Sequence, residues 1–278
     1  MTTTEVIVTE PGVYADMPED VYHADPVPGG SLSSTGARKL LTRTPAHFDY
    51  ARRNPPASTD DFDFGKVAHK LLLGVGAPIA RIEAKDWRTN KAKDAREAAY
   101  AAGEVPLLAA DHDRALRLAD AVRKHRLAAA MLTDGEPEQS AFWVDPETEI
   151  WRRARFDWLR SDGTVIDLKT CQSAAEADVA KSSANYGYHQ QAAWYLDAIR
   201  DLGLSDNPAF VFVFVEKAPP HLVHVVQLTP DDVAAGHARN RKAIAKYAEC
   251  QRTGVWPGYP ADITTISLPA WATRTEEF

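Results

Sequence analysis

The chain has 278 residues, 45% of them hydrophobic and 26% charged, so a sizeable core can form without a structural metal or disulfide. A formal charge of −7 argues against a surface coated in nucleic-acid-binding charge. Cys171 and Cys250 stand far apart in no metal-like spacing, MTTTEVIVTEPG is not signal-like, and no run approaches the ~20 apolar residues of a membrane span; a cytoplasmic protein is expected.

Taken in chain order, the first 30 residues carry many Pro, Gly and Asp and are expected to form loops or short strands. A helix start is legible at Ser31-Leu32-Ser33-Ser34, with a Ser as cap, and a stop near Thr44-Pro45. Residues 51–63 read as a polar loop. From Phe64 to Leu73 the apolar residues Phe64, Val67, Ala68, Leu71 and Leu72 fall at helical spacing, and residues 86–101 and 111–132 are also helical in pattern. The period then changes. Residues 138–144, 150–160 and 164–170 alternate like strands, the last two joined by the turn Ser161-Asp162-Gly163. Residues 186–202 return to helix, Phe210–Glu216 and Leu222–Leu228 are strand candidates, and residues 230–252 form a helix opened by Thr229-Pro230-Asp231-Asp232. The expected fold is α+β, or mixed α/β, with a helical N-terminal part. It is read as one domain: an N-terminal extension over 1–63, a core over 64–252 and a tail over 253–278.

The chemistry gathers at Arg153-Ala-Arg155-Phe-Asp157 and Val165-Ile-Asp167-Leu-Lys169. Residues two apart on a strand share a face, so Asp167 and Lys169 point the same way. With a turn at Ser161–Gly163, Arg160 sits opposite Thr164 and Asp157 falls opposite Asp167. Two carboxylates so placed repel unless a cation neutralises them, and a hard divalent ion such as Mg²⁺ is the natural partner. Lys169 beside it can orient or deprotonate a water, or stabilise charge on a phosphate. An Asp-x-Lys alone is usually a solvated face or a simple ion pair; the apolar flank of VIDL and the second acid in register separate this one from that background.

Asp157, nine residues, then Asp167-Leu168-Lys169 resembles the signature of the PD-(D/E)xK nucleases, with Phe156 in place of the nominal Pro. Gly65-Lys66-Val67-Ala68-His69 resembles the His-bearing motif of the RecB-like branch, and Gln191-Ala-Ala-Trp194-Tyr195 its Gln-x-x-x-Tyr motif. Tyr22-His23, Ser31–Leu41, Thr44–Phe48, Glu138–Ser140 and Tyr188-His189 are similar to phage RecE-like exonucleases. The resemblance implies a PD-(D/E)xK core with a central mixed sheet flanked by helices. It implies metal ligands at His69, Asp157, Asp167 and the Leu168 carbonyl, with Glu138 in support. It also implies that Gln191 and Tyr195, with Asp157, Asp167 and Lys169, form the catalytic set. The reaction implied is Mg²⁺-dependent digestion of linear duplex DNA from its ends, 5′ to 3′, with Mn²⁺ able to substitute. The single strand left would serve recombination through an annealing protein, and the protein would be a ring-shaped homo-oligomer. A repair endonuclease of the same fold, or a catalytically dead module that binds DNA ends, is the alternative.

Arg153 and Arg155 alternate with Asp157 and should share its face, where they either pair with the acids or contact DNA phosphates; a DNA-binding role is assigned to both. Lys181, with Ser182 and Ser183, reads as a solvated loop and the run Arg239 to Lys246 as an exposed helix face. Trp151, Trp158 and Trp194 read as core.

Overall fold

A computed structural model of the chain describes residues 6–54 and 58–269. Its first part runs β1 (Gly12–Tyr14), α1 (Glu19–Ala24), β2 (Leu32–Ser33), α2 (Ser34–Thr42), α3 (Pro45–Arg53) and α4 (Asp60–Leu73). Then come β3 (Ile79–Ile82), α5 (Asn90–Ala101), β4 (Val105–Leu108), α6 (Ala109–Lys124) and α7 (Arg126–Met131). The second part is β5 (Glu136–Val144), β6 (Trp151–Leu159), β7 (Val165–Cys171), α8 (Glu176–Tyr186), α9 (Tyr188–Asp201), β8 (Phe210–Glu216), β9 (Val223–Val226) and α10 (Pro230–Thr253). No described helix is long and apolar enough to cross a membrane.

The expected mixed sheet forms. Its order is β1-β5-β6-β7-β8-β9, antiparallel except between β7 and β8, and β2 adds a short parallel pairing to β6. β3 and β4 make a separate parallel pair. The run FVFVFV of β8 shows how both faces are filled. Phe210, Phe212 and Phe214 pack toward α9 and α10, while Val211, Val213 and Val215 pack toward α4 and α6. A strand buried on both faces reads as continuous apolar text rather than alternation.

Several local expectations change. Thr44-Pro45 stops α2 and also starts α3, because Thr44 accepts from the His47 N–H and Pro suits the first helical position. The loop expected over 51–63 is therefore mostly helix: α3 runs to Arg53 and α4 begins at Asp60, capped by Thr59; residues 55–57 lie outside the described set, as do residues 270–278 of the tail. The 111–132 helix is two, broken at His125, whose ring accepts from the Ala128 N–H. Lys181 to Ser183 lie on α8, not in a loop. In the run Arg239 to Lys246, Ala243 and Ile244 are buried and Arg241 holds Asp145 and Glu147, so only part of that face meets solvent.

α9 and α10 meet at Gly236. A Cβ there would lie 2.1 Å from the His189 carbonyl oxygen. Gly236→Ala would raise intrinsic helix propensity by about 1 kcal/mol. The clash is with backbone and cannot be relieved by a rotamer, so it should win. A net loss of about 2 kcal/mol is expected, read as a lower urea midpoint at unchanged slope.

Candidate metal centre and active site

The edge of β6 away from β5 is shared by two strands. Arg152 and Arg153 pair there with β2, and Trp158 and Leu159 pair with β7. Between them, Ala154 to Asp157 face a fork in the sheet. The paired residues on either side put Asp157 in register with Asp167 on β7, as the turn predicts, and with Glu138 on β5, but regular pairing lapses at this row. The Arg160 N–H to Thr164 carbonyl bond (2.9 Å) closes the turn where the sequence places it. Three carboxylates thus stand in one row across three adjacent strands.

Local devices hold the row. Asp157 Oδ2 accepts from the Leu168 N–H at 2.7 Å, so a side chain takes the place of a ladder acceptor. Glu138 has φ of +51°, a left-handed conformation uncommon for a non-glycine residue and a way to re-aim a side chain within a strand. The Arg155 Nε donates to Glu138 at 2.6 Å and its Nη1 to the Ser140 hydroxyl and the Met17 carbonyl. α4 brings His69, whose Nε2 must donate to the Leu168 carbonyl at 3.0 Å, because a carbonyl can only accept. Its Nδ1 lies 3.7 Å from Asp157. One ligand atom each from His69, Glu138 and Asp157 falls within 4.8 Å of the others.

Asp167 is 2% exposed and is not in that trio. Its carboxylate is ion-paired with Lys169 and accepts from Gln191 Nε2 at 3.2 Å. The Lys169 ammonium also lies 5.1 Å over the Tyr188 ring. Burial works to lower the Lys169 pKa, but Asp167 and Asp157 outweigh it and the result lies above the usual lysine value. For Asp157 the balance runs the other way. Burial, with Asp167 and Glu138 adding to it, raises the carboxyl to about 7 against the opposing pull of His69 and Lys169. Acids gathered under such conditions, with an imidazole and a backbone carbonyl among them, form a donor set suited to a hard divalent cation.

Gln191 and Tyr195 share a face of α9, as their spacing requires. Gln191 orients Asp167. Tyr195 lies edge-on to Phe156 and Phe210, and burial pushes its hydroxyl well above the usual range. Trp194 is core: it is fully buried, and its Nε1 donates to the Arg153 carbonyl. Trp151 and Trp158 are half-buried and pack against apolar clusters.

Arg153 and Arg155 do share the Asp157 face, but their guanidinium groups are engaged within the chain. Arg153 holds Asp25 at 2.6 Å and Ser31, and Arg155 holds Glu138; the Tyr22 ring lies under both. Of the two roles open to them, pairing with acids is the one the geometry displays, and neither presents the free cation that a phosphate contact needs. The N-terminal segment supplies parts that sequence reasoning assigned to no role. Lys66 on α4 pairs at 2.8 Å with Glu19, whose carboxyl is lowered to about 2, chiefly by a hydrogen bond from His23 and then by Lys66. Arg38 on α2, also unassigned from the sequence, donates to the Tyr186 carbonyl at 2.7 Å.

Comparison with known proteins agrees with this architecture. The chain is similar in fold to a crystal structure described as a "Putative exonuclease" from Eubacterium rectale, with a TM-score of 0.61, 11% identity, and coverage of 87% of this chain and 92% of that one. A phage related exonuclease from Haemophilus somnus 129PT aligns with 81% of this chain and 96% of its own at 11% identity, with a TM-score of 0.31, too low to carry an argument. No curated protein matches in sequence. A family model, that of the PDDEXK-like domain of unknown function (DUF3799), matches residues 34–268, and the chain belongs to that family.

Proposed function

We propose that this chain is a divalent-metal-dependent deoxyribonuclease that digests linear duplex DNA from its ends. The observation that carries the reading is the row Glu138, Asp157 and Asp167 across three strands, with His69 and Lys169 against it. Asp157, Glu138 and His69 would hold the cation, with Asp167 and the Leu168 carbonyl beside them. When bound, a Mg²⁺ or Mn²⁺ ion would polarise the scissile phosphate and stabilise the leaving oxygen. Lys169 is fixed by Asp167, so its ammonium can orient the attacking water or balance charge on the phosphate. Gln191 keeps the Asp167 carboxylate in one orientation, and Tyr195 wedges α9 against β6 and β8.

Exonuclease action, 5′-to-3′ polarity, a phage-type recombination role with an annealing partner, and a ring-shaped homo-oligomer follow from the RecE-like resemblance of the motifs. The experiment compares end-labelled linear duplex with sealed circular DNA, in Mg²⁺ and in EDTA. Loss of the linear form alone, only with Mg²⁺, is the expected result. Rapid nicking of the circle would favour an endonuclease. Digestion in EDTA, or none with any divalent metal, would remove the mechanism.

A further inference from the structure

We propose that the exposed Tyr186 ring is a stacking platform for an unpaired base at the end of the DNA strand held at the candidate metal centre. The inference rests on the nuclease reading and names how that site would select an end. Tyr186 is the last residue of α8, and Gly187, with φ of +66°, turns the chain directly into α9. The Tyr186 and Tyr188 ring centroids are 5.8 Å apart, with planes 31° from parallel. Tyr188 lies 5.4 Å from Phe212, tilted by 35°, and Phe212 lies 5.7 Å from Phe214 at the same tilt. Phe212 and Phe214 are buried in β8, so a column of tilted rings runs from the core to the surface and ends at Tyr186. The column passes the site. The Lys169 ammonium is 5.1 Å from the Tyr188 ring and 6.0 Å from that of Phe212. Tyr186 is therefore one ring removed from the Asp167–Lys169 pair.

The foot of the column is fixed and its top is open. Tyr186 is 65% exposed, yet its backbone is held, because its carbonyl accepts from Arg38 Nη1 at 2.7 Å. Gly187 packs on the same arginine, where a Cβ would meet the Cδ at 2.8 Å. A ring already backed by a second ring offers a broad flat surface and gives up little freedom when a partner covers it. Charge favours a neutral contact here. Lys66, Arg153, Arg155 and Lys169 border the acid row, and each is paired with an acid of the chain. Stacking adds affinity without a free cation, and every base has a face to offer. Inside a duplex both faces of a base are covered by its neighbours. Only a terminal base, or one drawn out of the stack, can lie on such a ring, so the platform reads an end.

The test removes the ring and the base separately and together. It uses the full chain and labelled blunt duplexes that carry an abasic nucleotide at each terminal position in turn, or at the centre. Binding is measured in Ca²⁺ and digestion in Mg²⁺. Tyr186→Ala should raise Kd and KM about tenfold, with a smaller change in kcat. For the parent, an abasic nucleotide at one terminal position should cost about as much, and a central one little. Ring loss and base loss should not add, because they remove one contact. Tyr186→Leu, apolar but without a π-face, should behave as Ala, whereas Tyr186→Phe should recover the preference for an intact end. Thermal melts of all variants check the fold. Parental affinity in Tyr186→Ala, or losses that add at every position, would overturn the inference and leave the nuclease reading intact. So would recovery by Leu, which would mark a merely apolar surface, or a fall in kcat alone, which would make the ring a support for Tyr188. A parent that cuts no DNA with any divalent metal would remove the nuclease reading, and the inference with it.

Discussion

Asp157→Asn protein should melt at a higher temperature than its parent and digest no DNA. The two effects have one cause. Asp157 carries a carboxyl raised from 3.8 to about 7 by burial and by the neighbouring acids, so its ionised form opposes folding until a cation arrives. An asparagine oxygen can still accept from the Leu168 N–H, so the strand contact survives. Below about pH 3 the carboxyl is largely neutral whether the chain is folded or not, and parent and variant should be equally stable. As pH rises from 4 toward 7 the unfolded chain gives up this proton first, so the parent loses stability and the variant does not. The advantage of Asn should be complete above pH 7, at up to about 4 kcal/mol. Added Mg²⁺ should stabilise the parent far more than the variant. Activity should fall at least about a thousandfold. Melts at pH 5 and pH 8 in EDTA, beside digestion assays in Mg²⁺, read all three. Equal melting at both pH values would defeat the electrostatic account, and parental turnover would defeat the assignment of Asp157.

The largest loss of stability is expected at Arg152, which has no part in the chemistry. It points to the opposite face of β6 from Arg153, as neighbours on a strand must. Its guanidinium lies 4.7 Å from the Trp143 ring and 4.1 Å from that of Trp194, and it is 2% exposed. Asp197 at 2.9 Å, Asp145 at 3.4 Å and Asp201 at 3.6 Å surround it. Arg152→Ala would leave Asp197 and Asp201 without their buried cation and open a void between two indoles. Asp145 retains Arg241, and Asp197 retains only the His237 ring at 3.2 Å. Breaking a buried pair costs about 3–5 kcal/mol, because the surviving charge stays desolvated. A fall in Tm on the order of 10 °C is expected. Arg152→Lys should lie between, since it keeps the charge but loses the fork and the stacking. An Arg152→Ala protein within about 1 kcal/mol of the parent by urea titration would show that the acids relax into water instead.

The site hairpin was legible because strand alternation and a Gly-containing turn fix register, and register alone lines up Asp157 with Asp167. His69 and Gln191 were legible only through their motifs, since a lone His or Gln on a helix carries no address. Glu138 could be suspected, but its left-handed backbone leaves no mark in the sequence. The adjacent arginines of β6 show a different limit. Arg152 and Arg153 read alike, yet one is locked in the core and the other faces the acid row, and only the sheet decides which. α8 was missed because only Val179 and Ser183 of its residues are buried, too few to make a helical stripe. β3 and β4 were missed because each is four residues long and the partners are joined through a helix.

The bond from the Leu168 amide to Asp157 makes one side chain both a rivet and a candidate ligand. A loop-borne acid could drift without disturbing its neighbours; this one is stitched into the seam between two strands. The spacing of the candidate donor atoms is therefore inherited from strand alignment, and that alignment is set by three turn residues on the far side of the hairpin. Lengthening or shortening the Ser161–Gly163 turn by one residue would slide the seam and scatter the donors, with no atom of the pocket having been changed.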